Sequence, residues 1–216
     1  MPVYIIVIII SFFASVIGLA LVKDYRIPVL ISFSLFLLLS SIVEYIGWKL
    51  SMSFKNTVLL YNLFSLFEFL FYLFFFRSVF TSRRTKKAIT VVMIAYFAVA
   101  LINMFFIQKN TFHSHTYVLG CLLVAIFSTA YFYFLFRFPE TGSLVKNPFF
   151  WIGIGLLFYY TCTIPVYGLQ NFITITVQHY NAVLTFIEDC LNVLLYTLFS
   201  IGFLCKINFR NLSGLS

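Results

Sequence analysis

The sequence predicts an all-α polytopic membrane protein of seven transmembrane helices, with its N-terminus outside and its C-terminus in the cytoplasm. Three observations predict it. Of 216 residues, 62% are apolar and 9% charged, where a soluble domain sits near one half apolar and ~25% charged. The apolar residues fall into seven runs, and at ~20 residues per crossing seven crossings use up nearly the whole chain. The basic residues, finally, fall between those runs and mostly on one side. The 30 Phe and 14 Tyr argue against disorder, because such a chain has much apolar surface to bury.

The helices are expected near residues 2–22, 28–48, 57–80, 88–107, 116–136, 149–168 and 182–205. The first runs from Met1 to Val22 with no basic n-region and no A-x-A site before Lys23, so it reads as a retained helix and not a signal peptide. Asp24 and Pro28 mark entry to the second. The fourth follows the basic run Arg83-Arg84-Thr85-Lys86-Lys87, and Asn147-Pro148 offers the sixth an N-cap and a first-turn proline. The longest connections, Arg137 to Asn147 and Gln170 to Asn181, are too short for an extra fold. Residues 1–216 therefore read as a single seven-helix domain with no soluble domain.

Orientation follows from the basic residues. Lys23, Arg26, Arg77, Arg83, Arg84, Lys86, Lys87, Arg137, Lys146, Lys206 and Arg210 share one side, against Lys49, Lys55 and Lys109 on the other. The positive-inside rule puts the richer side in the cytoplasm. The net charge of +8 thus reads as membrane anchoring, with no nucleic-acid partner.

Little points to metal or redox chemistry. Cys121, Cys162, Cys190 and Cys205 lie singly in apolar runs without zinc-site spacing, and read as buried thiols. A Cys162–Cys190 disulfide is open at this point, as is a metal joining His113, His115 and His179 to Glu188 or Asp189. Loop histidines more often face water. Gly153 and Gly155 read as a close-packing face rather than a phosphate loop. The similarity of 59–65 to 194–200 falls at different helix depths and reads as coincidence.

Two segments carry a resemblance. Tyr61 to Tyr72 reads Y-N-L-F-S-L-F-E-F-L-F-Y, and Asn147 to Gly155 reads N-P-F-F-W-I-G-I-G. In these aromatic-rich motifs the chain resembles a group of uncharacterised bacterial seven-helix integral membrane proteins. The resemblance implies the seven-helix topology in a bacterial inner (cytoplasmic) membrane, and no activity.

The informative residues are polar ones inside the spans. Glu44, Glu68, Glu188 and Asp189 are ionisable groups where the bilayer penalises charge by a few kcal/mol, and such groups usually face the bundle or a wet cavity. Tyr61, Ser65, Glu68 and Tyr72 fall on one stripe of the third helix, and Thr185, Glu188, Asn192 and Tyr196 on one stripe of the seventh. The second offers Ser34, Ser41, Glu44 and Trp48, and the sixth Tyr160, Thr163 and Tyr167; Asn62 and Asp189 sit beside the stripes. At 1.5 Å per residue Glu188 is expected roughly 10 Å, and Glu68 roughly 16 Å, below the outer helix starts. Interhelical hydrogen bonding accounts for most of the Ser, Thr and isolated Tyr. No Lys, Arg or His lies deep in a span to pair with Glu68 or Glu188, so these acids hold protons or a bound cation.

The expected site is a pocket open to the outside and closed below, with ligand-binding residues Glu44, Tyr61, Asn62, Glu68, Tyr160, Glu188, Asp189 and Asn192. No cofactor is expected beyond a bound cation. The aromatic surplus is expected to be filler: Phe74, Phe75 and Phe76 turn by ~100° each and cannot all point inward.

The leading functional expectation is a sensor or accessory subunit that binds a small cationic or lipid-like ligand. Membrane lipids and a separate membrane or cytoplasmic protein are its expected partners. Paired carboxylates also permit an intramembrane lipid-modifying enzyme, although nucleophile and metal are lacking. A proton-coupled transporter or a subunit of a membrane effector complex are the remaining alternatives.

Overall fold

The computed structural model describes residues 1–23, 27–109, 111–137, 143–170 and 178–207, with side chains at 168–170 and 178–182 left aside. Seven long helices make up the fold: α1 (Val3–Leu21), α2 (Pro28–Met52), α3 (Val58–Val79), α4 (Arg83–Ile102), α5 (Ser114–Arg137), α6 (Pro148–Gln170) and α7 (Gln178–Leu204). No strand occurs among the described residues. Each helix is long and apolar enough to cross a membrane.

Local chemistry sets several boundaries. Pro28 opens α2 at a first-turn position where its missing N–H costs nothing. Asn147 caps α6 as expected, its Oδ1 accepting the Phe149 amide at 3.0 Å. Asn56, one residue before the N-cap position of α3 at Thr57, accepts the Val58 amide at 2.8 Å in an Asx turn. Asp24, expected to mark the α2 entry, lies outside the described residues. Three boundaries differ from expectation. The α4 helix begins at Arg83, because its Arg and Lys are good helix formers that hydropathy overlooks. The α2 helix continues to Met52, and α7 begins at Gln178. At its far end α4 runs into a π-helical turn, Asn103–Ile107.

The helices form a ring. Its neighbours run α1, α2, α3, α5, α6, α7 and back to α1, while α4 lies against α3 and α5. Small residues permit the closure: beyond Ile5 and Ile8, the buried face of α1 continues as Ser11, Ala14, Ser15 and Gly18. A Cβ on Gly18 would collide with the Phe203 carbonyl of α7, so backbones touch there. Ser15 and Ser34 join α1 to α2 through a 2.7 Å hydrogen bond. The expected packing role of Gly153 and Gly155 holds: a Cβ on the first would come within 3.2 Å of Tyr131 of α5, and on the second within 3.2 Å of Leu195 of α7.

The half of the bundle away from the N-terminus is filled with rings. Phe33 is fully buried, edge-on to Phe199 at 5.0 Å, and also meets Phe71, Phe75 and Phe203. Phe36 stacks on Phe71 at 4.3 Å and 5°. Phe75 and Phe76 are buried while Phe74 is 37% exposed, which is the division the helical turn requires. All four cysteines are free, with Cys162 and Cys190 exposed, so the disulfide left open by the sequence is not formed.

Candidate functional site

Above this aromatic packing the helices diverge around a cavity of about 880 Å³. It lies in the half of the bundle nearest the N-terminus and the α2–α3 and α4–α5 connections, with Pro2, Ser51, Thr57 and Thr111 in its wall. The four acids of the apolar helices, Glu44, Glu68, Glu188 and Asp189, all line it. Among the described residues no Lys, Arg or His does. The two other acids of the chain, Asp24 and Glu140, lie outside the described residues.

Three of these half-buried carboxylates, Glu44, Glu68 and Glu188, stand against tyrosine hydroxyls. Tyr4 of α1 and Tyr61 of α3 both donate to Oε2 of Glu44, at 3.1 and 3.4 Å. Tyr61 can lie there because position 47 of α2 is glycine; a Cβ would overlap its hydroxyl. Tyr72 donates to Oε1 of Glu68 at 3.3 Å from one turn below. The Tyr167 hydroxyl lies beside Glu188. A phenol is a neutral donor, so it orients a carboxylate and leaves its charge uncancelled.

Depth turns out more even than expected. Because α7 starts at Gln178, Glu188 stands ten residues, roughly 15 Å, along its helix. Glu68 stands ten residues along α3, the same depth from its own start. Asn192 and Tyr196 continue the α7 stripe at the cavity wall, and Tyr61 and Ser65 continue that of α3.

Two expected site residues fall elsewhere. Asn62 does not line the cavity; its Nδ2 donates to the Thr111 carbonyl at 3.0 Å and its Oδ1 accepts the His113 amide at 3.0 Å. It is the clamp that holds the α4–α5 connection over the bundle. Tyr160 is likewise off the wall, fully buried beside Glu68 and Tyr72, and its hydroxyl has no hydrogen-bond partner. Its neighbour Tyr159 takes the wall position, one residue and ~100° around α6. The small hydroxyls of the stripes mostly serve their own helices, as Ser41 does with the Leu38 carbonyl and Thr163 with that of Tyr159.

Several lining residues escaped the sequence reading. Tyr4 is one, since an aromatic at a helix start reads as an interface anchor. Gln108, Thr111, Phe112 and Ser114 come from the α4–α5 connection and the start of α5, where no period assigns a face. Tyr117 and Phe64 supply aromatic walls. Between the lining residues Phe112 and Ser114, burial lowers the His113 pKa below its ordinary value, so that imidazole is neutral at pH 7. Among the described residues no three of His, Cys, Asp and Glu gather as metal ligands, and the side chain of His179 lies outside them.

Compared with protein-family models, with curated proteins and with solved structures, the chain matches none. The site must be read from its own chemistry.

Proposed function

We propose that the protein is a multi-pass protein of a bacterial cytoplasmic membrane whose cavity faces outward and binds a small cationic or lipid-like molecule. One observation carries the reading: four carboxylates line one cavity, with no basic side chain among its described lining residues. A carboxylate withdrawn from water is costly unless it is neutralised, and a positively charged ligand neutralises it. Tyrosine faces beside the acids favour the same ligand class through cation–π attraction. The aromatic packing beneath fits a pocket with one mouth rather than a channel.

The outward direction rests on the basic residues, which crowd the opposite end of the bundle. A reporter fused after Arg210 is expected in the cytoplasm and one inserted at Lys109 outside. A binding pocket without reactive machinery suits a sensor or accessory subunit that works with a separate membrane or cytoplasmic partner. The test is a thermal-unfolding series in nanodiscs with dodecyltrimethylammonium against dodecanol, which has the same chain without the charge. The cationic amphiphile is expected to stabilise the wild type and to lose that effect in Glu68→Gln/Glu188→Gln. Equal stabilisation by dodecanol would overturn the reading.

A further inference from the structure

We infer that the ligand of this cavity is a linear aliphatic polyamine, an extended chain whose primary ammonium groups each sit on a separate tyrosine-backed carboxylate. The inference rests on the cation-binding reading above and narrows it to one chemical class.

The first support is how the charge is spread. Among the described residues the acids do not converge with other donors into a metal-ligand group. Glu44 is reached by the Tyr61 hydroxyl at 3.4 Å, whereas Glu68 stands seven residues further along α3, about 10 Å of helix rise. Glu188 and Asp189 approach from α7. A single small cation would answer one of these positions and leave the others unpaired in a cavity of about 880 Å³. A flexible rod with ammonium groups at intervals answers several at once.

The second support is what each position leaves open. Tyr4 and Tyr61 donate to the same oxygen of Glu44, so Oε1 takes neither bond. Tyr72 donates to Oε1 of Glu68, which leaves Oε2 outside that bond. A primary ammonium has three N–H donors to place. At the deep position the Glu68 carboxylate and the Asn192 side chain of the wall supply the acceptors. A quaternary ammonium has no N–H and would leave these acceptors unpaired. Between the positions, Phe64, Tyr117 and Tyr159 offer aromatic faces to a methylene chain.

The experiment is a calorimetric titration of the purified full-length protein in nanodiscs of zwitterionic lipid, at fixed ionic strength. The probes are spermidine, putrescine, n-butylamine, tetramethylammonium and Mg²⁺. Spermidine is expected to bind at least tenfold more tightly than n-butylamine, with putrescine between them and Mg²⁺ unable to compete. Asn192→Leu, which keeps the size and removes the amide, is expected to weaken spermidine severalfold and leave tetramethylammonium unchanged. Equal affinity for spermidine and n-butylamine, or competition by Mg²⁺ at equal charge, would overturn the polyamine assignment. Binding of tetramethylammonium without spermidine would remove this inference and leave the cation pocket standing. If no organic cation binds, both fall. The wild-type ligand series decides the matter even where a variant fails to fold.

Discussion

The two halves of the bundle are built from the same helices and differ almost wholly in what their aromatic residues carry. Near the N-terminus the rings are largely tyrosines, and their hydroxyls meet the carboxylates of Glu44, Glu68 and Glu188. In the opposite half they are mostly phenylalanines, and Phe33, Phe36, Phe71, Phe75 and Phe199 close on one another, with the Tyr72 ring packed at the edge of the cluster. Ring packing alone gives a dry, filled interior. Adding a hydroxyl and a carboxylate at the same depth on facing helices makes the interior polar, and the helices part around a cavity. A handful of oxygen atoms thus separates the half that holds the bundle together from the half that can act.

This contrast can be broken first where the packing is densest. Phe33→Ala removes a fully buried ring that touches α3 and α7, and should cost about 3 kcal/mol or more, read as a lower unfolding midpoint in mixed micelles. Such a loss places the structural weight in the phenylalanine half; a change near zero would show that half to be loosely packed. Next comes the clamp. Asn62→Ala strips two hydrogen bonds from the α4–α5 connection and leaves the buried His113 amide unpaired, for a loss of about 1–3 kcal/mol. The same variant should bind the cationic probe more weakly, because Thr111 and Phe112 form part of the cavity wall.

Glu68→Gln sharpens the comparison from the other side. Glutamine keeps an acceptor for Tyr72 and removes the charge, so stability should shift by no more than on the order of 1 kcal/mol while cation binding weakens about tenfold. Reporter positions and expression level should match the wild type. A collapse of folding with binding intact would make Glu68 a packing group. The smallest effect is expected at Phe74→Leu, under about 0.5 kcal/mol and without effect on binding, since that ring is 37% exposed between two buried ones.

How much of this was legible in the sequence follows from which signals have a period. The seven helices were legible because a span leaves a run of ~20 apolar residues. The gathering of Glu44, Glu68, Glu188 and Asp189 was legible because polar groups spaced three and four apart mark one face of an apolar cylinder. The rotation of each face was not. Tyr159 and Tyr160 differ by ~100°, and only the packing of α6 between α5 and α7 decides which meets the cavity. Asn62 read as a ligand group because its two partners are backbone groups of a connection, and no side-chain pattern announces them. The four lysines and arginines that open α4 read as a loop because charge lowers hydropathy without lowering helix propensity.

The central claim is that the N-terminal half encloses a wet, electronegative cavity while the other half is dry. Thiol labelling tests it most directly. After replacement of Cys121, Cys162, Cys190 and Cys205, single cysteines are placed by Ser65→Cys in the cavity wall and by Phe75→Cys in the aromatic packing. Membrane-impermeant methanethiosulfonates bearing either a trimethylammonium or a sulfonate group are then applied from the side of the N-terminus. The account predicts that the position-65 thiol reacts, faster with the cationic reagent than with the anionic one, and that the position-75 thiol reacts with neither. An unreactive position 65, or a faster reaction with the sulfonate, would contradict it.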